Sequence, residues 1–238
     1  MYSFLLLIEE KIMNVKKITR IYHFIRCIPK TILFNFNYFP FKQAIKIPVI
    51  ISHRTAFISL KGKVSIPKDA KSAKIKLGFG RVQIADNKYS RFIWNVEKSG
   101  VITFGKNVRI GTGSRLDVSG NLELKNNCNF SGESTIICKK EIVFGESCLV
   151  SWQTLFMDSD LHKITGLEGI QTNPNKAIIV GDNVWIGARS SVMKGVKIGG
   201  NSVIANSTVV VKSFNGNSVV GGNPARLITS FEGKEFHH

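Results

Sequence analysis

From Val180 to Phe214 the chain reads VGDNVWIGARSSVMKGVKIGGNSVIANSTVVVKSF, and an apolar position returns every six residues. Val180, Ile186, Val192, Ile198, Ile204 and Val210 open successive hexads. The fifth place is small or β-branched at Val184, Ser190, Val196, Ser202 and Thr208, and only Phe214 departs. A period of six fits neither a helix of about 3.6 residues per turn nor a free strand of period two. It predicts a chain wound into a triangular coil, with a short flat strand per side and a turn per corner. The hexad-first aliphatics then stack inward, coil upon coil.

The register extends backwards with a longer step. Phe104, Ile110 and Leu116 are followed by Leu124, Phe130 and Ile136, then by Phe144, Val150 and Phe156. Corresponding residues stand 20 apart there, against 18 between Val180 and Ile198, so two extra residues belong at one corner, Val118–Asn121 and again Cys138–Glu141. Val108, Ser114, Cys128, Ser134, Cys148 and Thr154 take the fifth place. Between Phe144 and Val180 lie 36 residues where one coil needs 18 to 20. The surplus falls in Met157–Ala177, which loses the period and is rich in polar residues. A loop that long, thrown out of a tight repeat, is a candidate for function.

Upstream the period is irregular. It begins near Phe57, with Val64–Ile66 and Ile75–Gly78 as early sides, and residues 79–100 predict insertions or wide corners. Residues 14–28 read as an amphipathic helix, with Val15, Ile18, Tyr22 and Ile25 at helical spacing, ended by Pro29. The aromatic stretch TILFNFNYFPF follows. Helix and loop together are expected to cap the open end of the coil, where backbone edges and apolar side chains need cover. The expected organisation is a cap over 1–56, a coil over 57–228 with the loop 157–177 extruded, and a tail over 229–238. The apolar run Phe4–Ile8 is too short to span a membrane and lacks the basic flank of a signal peptide. Met13 is a candidate natural start, and the terminal pair His237 and His238 is given no role.

Charge changes the picture of the first third. Of a net +17, residues 1–100 carry 19 Lys/Arg against 5 Asp/Glu, a balance of +14. That basic excess predicts an anionic partner: a membrane face, an acidic or phosphorylated glycan, or nucleic acid. No recognised nucleic-acid-binding motif accompanies it, so nucleic acid is not expected. Cysteine adds little chemistry. Cys128 and Cys148 fall at the fifth place and read as small buried interior residues, and Cys27 and Cys138 form no metal-ligand spacing with them.

The segments GDNVWIG, GVKIGGNSVIANS, VVKS and GGNPARLI resemble those of the hexapeptide-repeat acyltransferases, in particular the branch that O-acetylates sugars and bacterial polysaccharides. The resemblance covers Ile102–Ile228. It implies an all-β fold, a left-handed parallel β-helix with a short helical or irregular N-terminal cap. It implies a homotrimer with active sites between subunits, acetyl-CoA as co-substrate and no metal. A cytoplasmic protein is expected, with peripheral membrane contact through the basic N-terminal region as an option.

Acetyl transfer to an alcohol needs a base, and a neutral imidazole suits that task at cellular pH. His162, in Asp158-Ser159-Asp160-Leu161-His162, matches the position of the family's catalytic histidine; His23 and His53 read as packed bystanders. Asp158 and Asp160 are candidates to orient the ring, or else simply shape the loop. For the donor, the resemblance makes Trp185 a wall of the cleft. Ala188 and Ala205 admit the pantetheine arm, and Lys212 and Arg226 meet the nucleotide phosphates. Asn206 belongs to the same set, although it and Val211 replace the more common Ala and Thr. Alternatives are transfer to an amino sugar or to serine, or a glycan-binding β-helix without catalysis. A zinc enzyme on this fold needs three histidine ligands; past residue 100 the coil holds His162 alone.

Overall fold

The computed structural model describes residues 2–80, 82–86 and 89–236, of which 2–17 and residue 20 are backbone only. The Phe4–Ile8 run, Met13 and Val15 therefore enter as backbone, and His237 and His238 lie outside the described residues. The chain forms a left-handed parallel β-helix with three faces. Sheet I runs through Val49–Ile51, Ile75–Leu77, Arg109–Thr112, Asn129–Gly132, Leu149–Val150, Val184–Ile186, Ser202–Ile204 and Ser218–Gly221. Sheet II runs through Ala56–Leu60, Ile93–Val96, Arg115–Val118, Thr135–Cys138, Leu155–Met157, Ser191–Met193 and Val209–Val210. Sheet III runs through Lys63–Ser65, Val101–Phe104, Asn121–Leu124, Glu141–Phe144, Ile178–Val180 and Lys197–Ile198.

The register is the one the spacing predicts. Asn129 pairs with Arg109, 20 residues back, and Val180 with Ile198, 18 on. All six hexad-first residues from Val180 to Val210 are buried, as are the fifth-place residues Val184, Ser190, Val196, Ser202 and Thr208. The two extra residues of the longer coils lengthen the strands on either side of the sheet II–III corner. Val118 with Leu122, and Cys138 with Ile142, thereby turn inward as additional core residues. Phe130, Phe144 and Phe156 meet edge to face in the interior, with centroids 4.8 to 6.4 Å apart. All four cysteines are free and buried. Burial raises the pKa of Cys138, and contact with Cys128 together with burial raises that of Cys148, so these thiols are inert packing.

Corners repeat a conformation as well as a composition. Asn107, Asn127, Asn183, Asn201 and Asn217 all hold φ between 53° and 61° at the sheet III–I edge. Asn tolerates this left-handed region better than most residues. Its side chains also stack into ladders, Asn107 donating to Asn127 and Asn183 to Asn201.

At the N-terminal end the structure departs from expectation. Helix α1 spans Tyr2–Tyr38, with Pro29 inside it, and a short α2 follows at Phe41–Ala44. The coil begins at Val49–Ile51, earlier than Phe57. One device explains both differences. The outer edge of strand Val49–Ile51 has no strand beyond it, and α1 runs along it in the opposite direction. Asn35 accepts from the Val49 N–H at 3.3 Å and donates to the Val49 carbonyl at 2.8 Å. Thr31 Oγ1 accepts from the Ile51 N–H at 3.0 Å, and Cys27 Sγ from the His53 N–H at 3.3 Å. Residues four apart on a helix are separated by about 6.0 Å, and residues two apart on a strand by about 6.6 Å. One row of α1 side chains thus substitutes for the missing strand. Phe34 fills the coil mouth against Trp94, whose Nε1 donates to the Tyr38 hydroxyl at 3.0 Å. These contacts hold the helix through Pro29, which removes only one internal hydrogen bond.

Strands Ile75–Leu77 of sheet I and Ile93–Val96 of sheet II follow one another in the chain with a long intervening segment, where the insertion in residues 79–100 is expected. At the far end, Arg226–Ser230 turns back antiparallel onto Ser218–Gly221 and closes the last edge of sheet I, so the coil ends in a hairpin. Among the described residues no helix is long and apolar enough to cross a membrane.

Candidate active site

The surplus residues leave the coil where expected, between Leu155–Met157 of sheet II and Ile178–Val180 of sheet III. Both roots are fixed by charge and backbone. Asp158 is wholly buried, and its carboxylate accepts from the backbone N–H groups of Lys139 (2.7 Å), Lys140 (2.8 Å) and Glu141 (2.8 Å) on the preceding coil. At the other root, the Gly195 N–H donates to the carbonyls of Lys176 and Ala177 on the loop. The Lys194 ammonium is paired with Asp160 and also donates to the Asn173 carbonyl at 3.2 Å. Lys194 and Asn173 hold the Asp160 carboxyl below the usual carboxylate range.

Within the loop, Thr165 and Gln171 form an antiparallel bridge, so the segment doubles back as a small hairpin. Asn173 is its hub. Its Nδ2 donates to the His162 carbonyl and to Asp160, both at 2.8 Å, and its Oδ1 accepts from the Ile164 N–H at 2.7 Å. Leu161 is held at φ 61°, strained for a leucine, with its N–H donating to the Ser159 hydroxyl at 3.0 Å. The backbone on both sides of His162 is thereby fixed while the residue itself is exposed.

Within one chain the two carboxylates that are candidates to orient the imidazole have other partners. Asp158 spends its oxygens on three backbone N–H groups, and Asp160 turns to Lys194 and Asn173. Both shape the loop that carries His162. Asn173 and Lys194 were invisible to sequence reasoning, since neither lies near the histidine in the chain. The only advance signal was an Asn beside Pro174, a common turn pair.

The donor residues occupy a different part of the prism. Trp185 lies on sheet I with 37% of its surface exposed, its Nε1 donating to Ser151 Oγ at 3.2 Å. Ala188, Ala205 and Asn206 sit at the edge between sheets I and II. The Ala188 N–H donates to Asn206 Oδ1 at 2.9 Å, so Asn206 bonds the coil through its oxygen. Arg226, exposed, opens the closing strand beside Gly221 at that same edge. Lys212 stands instead at the sheet II–III edge, one coil beyond Lys194, with its ammonium 5.6 Å over the Phe214 ring. One protomer thus places His162 and Lys212 on one edge and Trp185, Ala188, Ala205, Asn206 and Arg226 on or beside another. The intervening side is roughly 15–20 Å of extended chain. His23 and His53 are remote from both, their rings stacked with centroids 5.1 Å apart.

Comparison with known proteins bears on the repeat and the fold. Residues 177–212 match the family model described as bacterial transferase hexapeptide (six repeats). The chain is 26% identical over 163 residues to WbbJ of Escherichia coli K12, provisionally named a lipopolysaccharide biosynthesis O-acetyl transferase; the match covers 63% of this chain and 83% of that one. It is 33% identical over 137 residues to the galactoside O-acetyltransferase of Lactococcus lactis, covering 56% of this chain and 59% of that protein's length. Among solved structures, the polySia specific acetyltransferase NeuO superposes with a TM-score of 0.54 at 19% identity, over 80% of this chain and 79% of that one, a likeness of fold.

Proposed function

Because this chain belongs with the hexapeptide-repeat acyltransferases, we propose that it moves an acetyl group from acetyl-CoA to a hydroxyl of a bacterial surface polysaccharide or its precursor. The observation that carries this reading is His162, exposed on a loop whose backbone is pinned by Asp158, Asn173 and the Asp160–Lys194 pair. A general base must stand clear of internal partners and yet be held in place.

His162 accepts the proton of the acceptor hydroxyl as that oxygen attacks the thioester carbonyl, and backbone N–H groups of the coil steady the oxyanion. Collapse breaks the carbon–sulfur bond. The CoA thiolate leaves and takes up the proton held by the imidazolium, so no acyl-enzyme forms. Orientation and base catalysis together supply the rate.

Residues on the other edge suit the donor. Trp185 offers a flat apolar wall fixed by Ser151, Ala188 and Ala205 leave the backbone approachable, and Arg226 supplies a phosphate-pairing cation, to which Lys212 of a neighbouring copy, on the same edge as that copy's His162, adds a second. Since the two sets lie on different edges, the reading requires neighbouring copies, and we take the assembly to be a homotrimer in which one protomer's loop reaches the donor edge of the next. Leu161, Ile164, Leu167 and Ile170 expose their side chains on that loop, as a segment that docks on a neighbour would. Acetyl-CoA places the reaction in the cytoplasm. Along α1 a row of exposed residues, Ile18, Ile21, Ile25, Ile28, Ile32 and Phe36, recurs at helical spacing in the most basic part of the chain. We assign this row to peripheral contact with the anionic inner face of the membrane, where a lipid-linked acceptor is presented.

The test is a pair of measurements. Wild-type protein and His162→Ala are passed over a CoA resin with free CoA as competitor, and surface glycans from cells with each are weighed for the mass increment of one acetyl group. The reading expects both proteins to be retained and turnover to fall by about a hundredfold to ten-thousandfold in the variant. Near-native acetylation by His162→Ala refutes the base, and failure of the wild type to bind CoA refutes the donor.

A further inference from the structure

A concentration of charge that the acetyl-transfer site does not use lies far from His162, where α1 crosses the first three coils. A cleft of about 560 Å³ opens there, lined by His23, His53, Arg54, Arg109, Thr112 and the backbone of Gly78–Gly80. Gly80 makes room for one of its walls. A Cβ at that position would stand 2.8 Å from Arg109 Nη2, and φ there is 147°. Arg109 is further held by its Nε, which donates to the Phe79 carbonyl at 3.2 Å. Arg26 and Lys30 flank the cleft from the helix. Arg91 and Arg26, with the Cys27 thiol, act on Lys30, and Arg26, Arg54, the His23 ring and Lys30 act on His53. Among the described residues, ion pairs form elsewhere, at Lys106–Asp69, Lys139–Asp117 and Lys194–Asp160. His53 Nε2 and His23 Nδ1, both belonging to rings that line the cleft, have no hydrogen-bond partner.

Gathering cations in a concave site that no carboxylate lines among the described residues is unfavourable unless a ligand brings the charge. We propose that this cleft binds an oxyanion, a carboxylate or a phosphate, carried by the acceptor glycan at a distance from the hydroxyl that is acetylated. Guanidinium groups suit either group, because their paired N–H donors match two oxygens. Position supports the role. The cleft lies at the edge between sheets I and II, the same edge that holds Ala188 and Asn206. From Thr112 to Ala188 is three coil spacings, about 14 Å, the span of a short oligosaccharide. The site would hold one end of an anionic chain while another part meets His162 of the neighbouring copy. Burial and the surrounding cations depress the His53 pKa to about 4, so at neutral pH its ring is an uncharged hydrogen-bonding group beside the guanidiniums.

The inference rests on the glycan-acetylating reading, and its test is kept separate from turnover. Trigalacturonate, inorganic pyrophosphate and neutral maltotriose are titrated calorimetrically into the full-length protein at low salt. The same titrations are run on Arg54→Gln, on Arg54→Gln with Arg109→Gln, and on Lys125→Gln as an exposed control. The wild type and Lys125→Gln should bind at least one anion at one site per chain and ignore maltotriose. The double variant should bind it about tenfold more weakly or worse, the loss of at least one charge-assisted hydrogen bond. Arg54→Gln alone, whose side chain makes no hydrogen bond or ion pair among the described residues, should fall between. Trigalacturonate binding without pyrophosphate binding assigns a carboxylated acceptor, and the reverse a phosphorylated one. Retention of all variants on CoA resin separates this site from the donor site. The proposal is overturned if neither anion binds the wild type, or if the double variant binds as the Lys125→Gln protein does.

Discussion

The substitution Asn35→Leu tests whether α1 side chains replace a strand at the open end of the coil. Leucine keeps the volume, and position 35 is wholly buried. The change removes the acceptor for the Val49 N–H and the donor for the Val49 carbonyl, both in an interior that water does not reach. A buried backbone group left unpaired costs about 1–3 kcal/mol, and removing the polar amide of Asn35 offsets part of the loss. A net cost of about 2–4 kcal/mol follows. Each coil of a solenoid contacts only its neighbours, so the cost should appear locally as fraying of the first coil rather than as uniform loss. In native-state hydrogen exchange, amides of Val49–Ile51 should lose protection by a factor of roughly 30 to 1,000. Those of Ser202–Ile204 should not change. Thr31→Val should act in the same direction, because it removes the acceptor for the Ile51 N–H at 3.0 Å and the donor, at 3.3 Å, for the Ile51 carbonyl. If Asn35→Leu alters protection at Val49–Ile51 by less than threefold, the substitution of helix side chains for a strand is wrong.

Three further outcomes are expected. Asp158→Asn puts an amide –NH2 where backbone donors converge, and should cost about 2–4 kcal/mol in denaturant unfolding; lost turnover with full stability would instead make Asp158 a partner of the base. Asp160 has a folded pKa depressed below its unfolded value, so its tie to Lys194 stabilises the loop above the ordinary carboxylate range and is lost as pH falls through the depressed value. Limited proteolysis within Met157–Ala177 should therefore accelerate only at strongly acid pH in the wild type, and already at neutral pH in Asp160→Asn. Asn173→Ala, which frees the His162 carbonyl, should lower turnover more than it raises the KM for acetyl-CoA; an effect on KM alone would show that Asn173 does not position the base.

Much of this protein is legible in one dimension. The six-residue period names the inward positions, and burial of Val180 through Val210 follows because a planar strand of that length presents its apolar side to the axis each time the chain turns. The step from 18 to 20 residues locates the corner that lengthens, and the failure of the period at Met157–Ala177 locates the loop. Cys128 and Cys148 needed no chemistry once their place in the hexad was counted.

Three-dimensional contact decided the rest. Pro29 looks like a helix terminus, and only the bonds from Cys27, Thr31 and Asn35 to the edge of Val49–Ile51 show why the helix continues through it. Asp158 and Asp160 look like partners for a nearby imidazole, yet their partners are Lys139–Glu141, 17 to 19 residues back, and Lys194, 34 residues on. Periodicity is a property of neighbours along the chain and so survives in the sequence. Hydrogen bonds between successive coils join residues that only winding brings together, and no spacing rule written along a single strand contains them.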